Sequence, residues 1–135
     1  MIRVQREAFS IDAVVRTLKA PTIGAVVTFL GIVRGTSKSG DPVERIEWDA
    51  YESMAVRTLE EIAARAKTDF GVADISIVHR VGVQHVGDDI VLIAVASRNR
   101  QAAFDACQFV MHEIKRLTPL WKKEILTNAA AKWIG

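Results

Sequence analysis

The chain has 135 residues, half of them apolar and a quarter charged, with a formal net charge of +2. That length suits one domain with its own core, residues 1–135, and the composition excludes a disordered chain. The small positive balance gives no case for nucleic acid, no apolar run reaches the roughly 18–20 residues of a membrane span, and the single cysteine, Cys107, excludes an internal disulfide and suits a reducing cytoplasm. The charged start, MIRVQREAF, lacks the apolar stretch and cleavage site of a signal peptide. Ser10 is placed to cap a short helix that runs to about Lys19 and stops before Pro21. Residues 24–33, GAVVTFLGIV, are β-branched and apolar and read as a buried strand. Residues 35–42, GTSKSGDP, are the most loop-like stretch, a candidate to move and close over a substrate. Residues 43–51 then alternate, with Ile46, Trp48 and Ala50 on one face and Arg45, Glu47 and Asp49 on the other.

A long helix follows, its stripe formed by Tyr51, Ala55, Leu59, Ile62, Ala66 and Phe70, with Gly71 placed to end it. Residues 75–81 and 90–96 read as two strands joined through 82–89. A second long helix starts near Asn99, with a stripe of Phe104, Cys107, Val110 or Met111, Ile114 and Leu117, and Pro119 closes it. Residues 120–126 form a last strand, and 132–134 add a short edge piece. Strands and helices mix without the regular alternation of βαβ units. This predicts an α+β fold whose helices pack on a largely antiparallel or mixed sheet.

Motif searches exclude several chemistries. There is no CxxC, HExxH, GxxxxGK[ST] or GxSxG, and His79, His85 and His112 are not at metal-ligand spacing. No metal and no bound cofactor are therefore expected. Cys107 has Phe104, Val110 and Met111 as helical neighbours, which favours a core thiol over a sulfur carrier.

What remains is a set of cations at element ends. Arg98 and Arg100 flank Asn99 at the start of the second long helix, where free N–H groups and two guanidiniums would make an anion site. Equally, Asn99 is a plain N-cap and the arginines are solvated. Arg34 ends the first long strand beside the loop. Lys115 lies in the last helical turn, where the dipole alone accounts for a cation. Lys122 and Lys123 are adjacent in a strand, so one points to each face, and alternation does not choose between them. By themselves these residues point to a small anionic ligand.

Four segments in this order, FLGIVR (29–34), HRVG (79–82), SRNRQAAFDA (97–106) and KRLTPLWKKE (115–124), resemble the large subunit of molybdopterin synthase, the MoaE family. The likeness is collinear from about Phe9 to Trp133. It implies an α/β hammerhead-like fold and a cytoplasmic enzyme. It further implies a homodimer at the centre of a heterotetramer, each copy binding a small ubiquitin-like sulfur-carrier subunit. That subunit's C-terminal Gly-Gly tail ends in a thiocarboxylate, which delivers sulfur to cyclic pyranopterin monophosphate and builds the molybdopterin dithiolene. Residue by residue, the family's essential lysine falls on Lys115 and its second lysine on Lys122. Its substrate-binding arginines fall on Arg34 and Arg100, with Arg98 a neighbouring candidate.

Two departures are expected to matter. Asn99 stands where relatives often carry histidine, and asparagine cannot shuttle a proton. The sequence also ends at Gly135, short of a basic segment found in some relatives. The implied chemistry makes the thiocarboxylate sulfur the nucleophile, with the lysines either moving protons or forming a transient adduct with the glycine carbonyl. Leu120 and Trp121 are candidates for the groove that takes the tail, or for the core. The competing reading is a scaffold that binds a ubiquitin-like partner without turnover.

Overall fold

The computed structural model describes residues 1–127 and the backbone of residues 131–134. The elements follow in the order β1 (Ile2–Gln5), α1 (Ile11–Leu18), β2 (Ala25–Ile32), β3 (Val43–Ala50), α2 (Glu52–Phe70) and β4 (Asp74–Arg80). Then come β5 (Gly82–His85), β6 (Asp89–Ser97), α3 (Arg100–Leu117), β7 (Leu120–Leu126) and β8 (Ala131–Ile134). They build two four-stranded sheets, ordered β1-β4-β6-β2 and β5-β3-β7-β8. Among the described residues only β1 and β4 pair in parallel; the other ladders are antiparallel. The expected α+β architecture is present, with two sheets where one had been read.

The first sheet is covered on both faces, which explains why β4 and β6 read as continuous apolar runs rather than alternating ones. On one face Ile75, Ile77, Ile93 and Val95 meet Leu59, Ile62 and Ala66 of α2 and Ala103, Ala106 and Val110 of α3. On the other, Val78, Leu92, Ala94 and Ala96 meet Val14 and Leu18 of α1. Each large side chain buried here contributes about 1.5–3 kcal/mol. The second sheet has a smaller cluster, in which Val43, Ile46 and Leu126 pack with Val33 and Ile90.

The helix ends follow the local chemistry. Ser10 Oγ accepts from the Ala13 N–H, Asn99 Oδ1 accepts from the Ala102 N–H, and Gly71 takes the left-handed conformation (φ 67°) that ends α2. Three stripe assignments need correction, one of them Leu117, which is 41% exposed in the last turn of α3. Tyr51 is 66% exposed, because it caps α2 from outside the first turn and turns its ring edge onto Trp121, 5.5 Å away. Phe104 is 58% exposed, because α3 is rotated so that Ala103, Ala106, Cys107 and Val110 face the core. Small residues there let α2 and α3 approach closely.

Residues 82–85 are also not a plain connection. Gly82 adopts φ 88°, a conformation open to glycine, and swings the chain out of the first sheet so that β5 can pair with β3 in the second. Four residues are too few to show a period. The same holds for β1, which pairs with β4 from Ile2↔Ile77 to Gln5↔Arg80.

Candidate functional site

Where the second sheet leans against the end of β2 and the last turn of α3, the surface opens into a cleft of about 560 Å³. That is a usual size for a small-molecule site. Arg34, Lys115 and Lys122 all line it. They come from a strand end, a helix end and the middle of a strand, and are brought together only by the register of the two sheets. Lys38 lines it too. It stands on the 35–42 loop, which is tied rather than loose: Thr36 bridges to Pro42, the Ser37 N–H donates to the Asp41 carbonyl (2.8 Å), and the Asp41 N–H donates to Ser37 Oγ (3.1 Å).

The register decides between the adjacent lysines. Lys122 pairs with Trp48 and Lys123 with Glu47. Lys122 Nζ lies 5.8 Å from the Trp48 ring centroid, on the cleft side, whereas Lys123 Nζ lies 3.9 Å from Glu47 Oε1 on the other face. The Lys122 ammonium is held below the ordinary lysine range. Burial is the main cause; Glu124 pulls it back up, and Arg34, Lys115 and Lys38 push it down again. A lysine that holds its proton less tightly is a better proton donor and more readily a neutral amine.

Glu124 and His79 complete the wall. Glu124 is buried, and its Oε1 has no hydrogen-bond partner among the described residues; the same is true of Trp48 Nε1. Unpaired buried polar atoms are costly, and these two belong to one cleft. His79 is 3% exposed and packs its ring against Trp48, with centroids 4.7 Å apart at 76°. Burial drives its pKa down to about 4, against a weaker upward pull from its hydrogen bond to the Arg80 carbonyl. It is a neutral imidazole near pH 7.

Beside this cleft and sharing Lys115, a more open groove of about 550 Å³ runs along α3, lined by Phe70, Phe109, Met111 and His112 among others. Leu120 lines the cleft, and Trp121 is half-buried against Tyr51. Cys107 is buried in the helix core, and burial pushes its thiol up to about 11, so it is not a thiolate near neutrality.

Arg98, Asn99 and Arg100 lie elsewhere. Asn99 caps α3, and Arg100 is its first residue. Fifteen residues separate Arg100 from Lys115, about 22 Å along the helix axis. None of the three lines the cleft of its own chain. Reading the sequence alone missed Lys38, Trp48, His79 and Glu124 as wall residues. Glu124 had a signal, since it is two residues from Lys122 and so on the same strand face. Lys38 and His79 were marked only as members of the 35–42 loop and the HRVG segment, and it is the tertiary structure that carries their side chains to the cleft.

A model of the MoaE protein family matches residues 4–117. The chain is 40% identical over 134 residues to the molybdopterin synthase catalytic subunit of Haemophilus influenzae, covering 98% of this chain and 88% of that one. The corresponding subunit of Vibrio cholerae gives the same identity and coverage. Among solved structures, molybdopterin synthase from Staphylococcus aureus superposes with a TM-score of 0.92 at 35% identity, covering 98% of this chain and 95% of that one. The MoaE protein of Burkholderia ambifaria gives a TM-score of 0.84 at 37% identity, covering 98% and 87%.

Proposed function

The chain belongs to the MoaE family and is a catalytic subunit of molybdopterin synthase, a sulfur-transferring enzyme of molybdenum cofactor biosynthesis; we propose that Lys115 and Lys122 carry the transfer in the cleft described above. The observation behind this reading is the meeting of Arg34, Lys115 and Lys122 on one wall, although they lie far apart in sequence. The chain works as one domain, residues 1–135, with no thiol of its own at the site. The sulfur arrives as a thiocarboxylate on the C-terminal Gly-Gly tail of a small ubiquitin-like subunit. The acceptor is cyclic pyranopterin monophosphate.

Both reactants are anions, and the cleft answers with four cations, Arg34, Lys38, Lys115 and Lys122. Arg34 takes the phosphate by charge-assisted hydrogen bonds. Lys115 stands where the cleft meets the apolar groove along α3, so a tail lying in the groove presents its terminal sulfur to that ammonium. Lys122 is the proton donor and acceptor as the substrate side chain opens, because its hold on the proton is weakened. The buried Glu124 carboxylate limits that weakening and keeps the ammonium form available.

Arg98, Asn99 and Arg100 enter this reading through a homodimer. At about 22 Å from Lys115 along α3 they are too distant to share its substrate. In a two-fold pair the start of α3 in one copy serves the cleft of the other. Asn99 then caps and hydrogen-bonds but moves no proton, leaving proton transfer to the lysines.

Reconstitution tests the assignment. The purified chain is mixed with thiocarboxylated small subunit and cyclic pyranopterin monophosphate, and molybdopterin is measured as its fluorescent oxidation product. Product formation is expected. Binding of the small subunit without any product would replace the catalytic reading with that of a scaffold.

A further inference from the structure

The cleft is rich in donors and poor in acceptors. Arg34, Lys38, Lys115, Lys122 and the Trp48 Nε1–H can donate hydrogen bonds and cannot accept them. Facing them are Glu124 and one ring nitrogen of His79. Alternation along β4 sends Ile75, Ile77 and His79 to the same face, toward α2 and α3. The first two side chains are core. At the third the core ends and the cleft begins.

The ring is fixed in both orientation and tautomer. His79 Nδ1 lies 2.7 Å from the Arg80 carbonyl oxygen. A carbonyl only accepts, so Nδ1 carries the hydrogen and Nε2 keeps a lone pair in the neutral ring. Among the described residues Nε2 has no hydrogen-bond partner. The contact with Trp48 prevents the ring from turning away. The same ring lines a small apolar slot of about 80 Å³ under the cleft, between Phe29, Ile114 and Lys115. Packing alone would be served by a phenyl ring, without a nitrogen to leave unpaired.

We propose that His79 Nε2 is a substrate-positioning acceptor, taking a hydrogen bond from an N–H of the precursor's pterin ring system. This rests on the sulfur-transfer reading above and adds a contact to the neutral part of the substrate, beside the cations that hold its charge. An oriented acceptor at the cleft floor fixes which way round the ring system lies, and so which carbons face the incoming sulfur.

Three substitutions separate the parts of this role. His79→Gln places an amide oxygen near the position of Nε2. His79→Asn keeps a donor for the Arg80 carbonyl and puts nothing in the cleft. His79→Phe keeps the ring packing and loses both polar atoms. In the reconstituted reaction, the Asn and Phe variants should raise KM for the precursor about tenfold with kcat little changed, while Gln stays within about threefold of wild type. Affinity for the small subunit should not move.

A folded Phe variant with wild-type KM would overturn the proposal, as would equal losses in Gln, Asn and Phe. A fall in kcat at constant KM would also overturn it, and would make the Lys115 ammonium the donor instead. If the variants do not fold, wild-type protein labelled with ¹⁵N-histidine decides. Without ligand, His79 should show a protonated Nδ1 and a bare Nε2, and adding the precursor should shift the Nε2 resonance. An unmoved Nε2 in protein saturated with precursor would sink the idea. Wild-type protein that makes no product would instead bring down the function reading, which the variants do not test.

Discussion

Both ends of α3 carry cations, and the two ends are built on opposite principles. At the C-terminal end Lys115 and Arg116 sit where the helix dipole favours positive charge. Arg116 is also clasped to Glu113 (Nε to Oε2, 2.7 Å), whose other oxygen accepts from Arg65 of α2 (3.0 Å). Those two arginines hold the Glu113 carboxyl below the usual carboxylate range, the Arg116 hydrogen bond being the largest cause. At the N-terminal end Arg98 and Arg100 oppose the dipole, the first turn has no acidic residue, and neither arginine has an ion pair among the described residues. Asn99 is the only local compensation. A charge placed against local electrostatics has no explanation in the fold, whereas Arg116 is fully explained by it. Lys115 lies between these cases: the dipole tolerates it, and its side chain lines the cleft.

That contrast can be broken most sharply at Lys115. Lys115→Ala should cut sulfur transfer on the order of a thousandfold while leaving the melting temperature near wild type; wild-type turnover would remove the residue from the chemistry. A second effect comes from the cleft floor. His79 has its pKa near 4 in the folded chain and near the ordinary imidazole value of 6.5 when unfolded. Between these values the unfolded chain binds a proton that the native one refuses. Stability is therefore fully present above pH 6.5 and is lost as pH falls toward 4, by about 3 kcal/mol. Denaturant titrations across that window should show the slope in wild type and lose it in His79→Phe.

Arg100→Ala sharpens the comparison from the other end. It should lower turnover about tenfold and leave stability unchanged or raised by a few tenths of a kcal/mol. Co-expressing the Arg100→Ala and Lys115→Ala chains should restore activity above either alone, since a mixed pair has one intact site. Equal inactivity of the mixture would place both residues in the same chain's site. The smallest effect belongs to the cap: Asn99→Ala should cost about 1 kcal/mol in equilibrium unfolding. If it instead abolished turnover with stability intact, Asn99 would join the arginines as a site residue.

Much of the fold was legible because periodicity is a local property. The caps at Ser10 and Asn99, the stop at Gly71, the span of β7 and the opposite facing of Lys122 and Lys123 all follow from residues within one or two turns or pleats of each other. The exposed Tyr51, Phe104 and Leu117 escaped, because a stripe five or six residues wide does not say how far a helix is rotated against its neighbour. The strands β1 and β5 escaped because four residues carry no period, and their partners lie far along the chain.

The sequence by itself determined the three helices and the longer strands, which residues could bear charge, and, through four ordered segments, which family's pattern they follow. Only the tertiary structure decided that Arg34, Lys38, Lys115 and Lys122 share one cleft with His79, Trp48 and Glu124, while Arg98 and Arg100 stand a helix length away. The physical reason is one of range. Dihedral preference, capping and alternation act over a few residues, whereas the cleft is fixed by ladder register between strands distant in sequence, such as Trp48 against Lys122 and His79 against Val91.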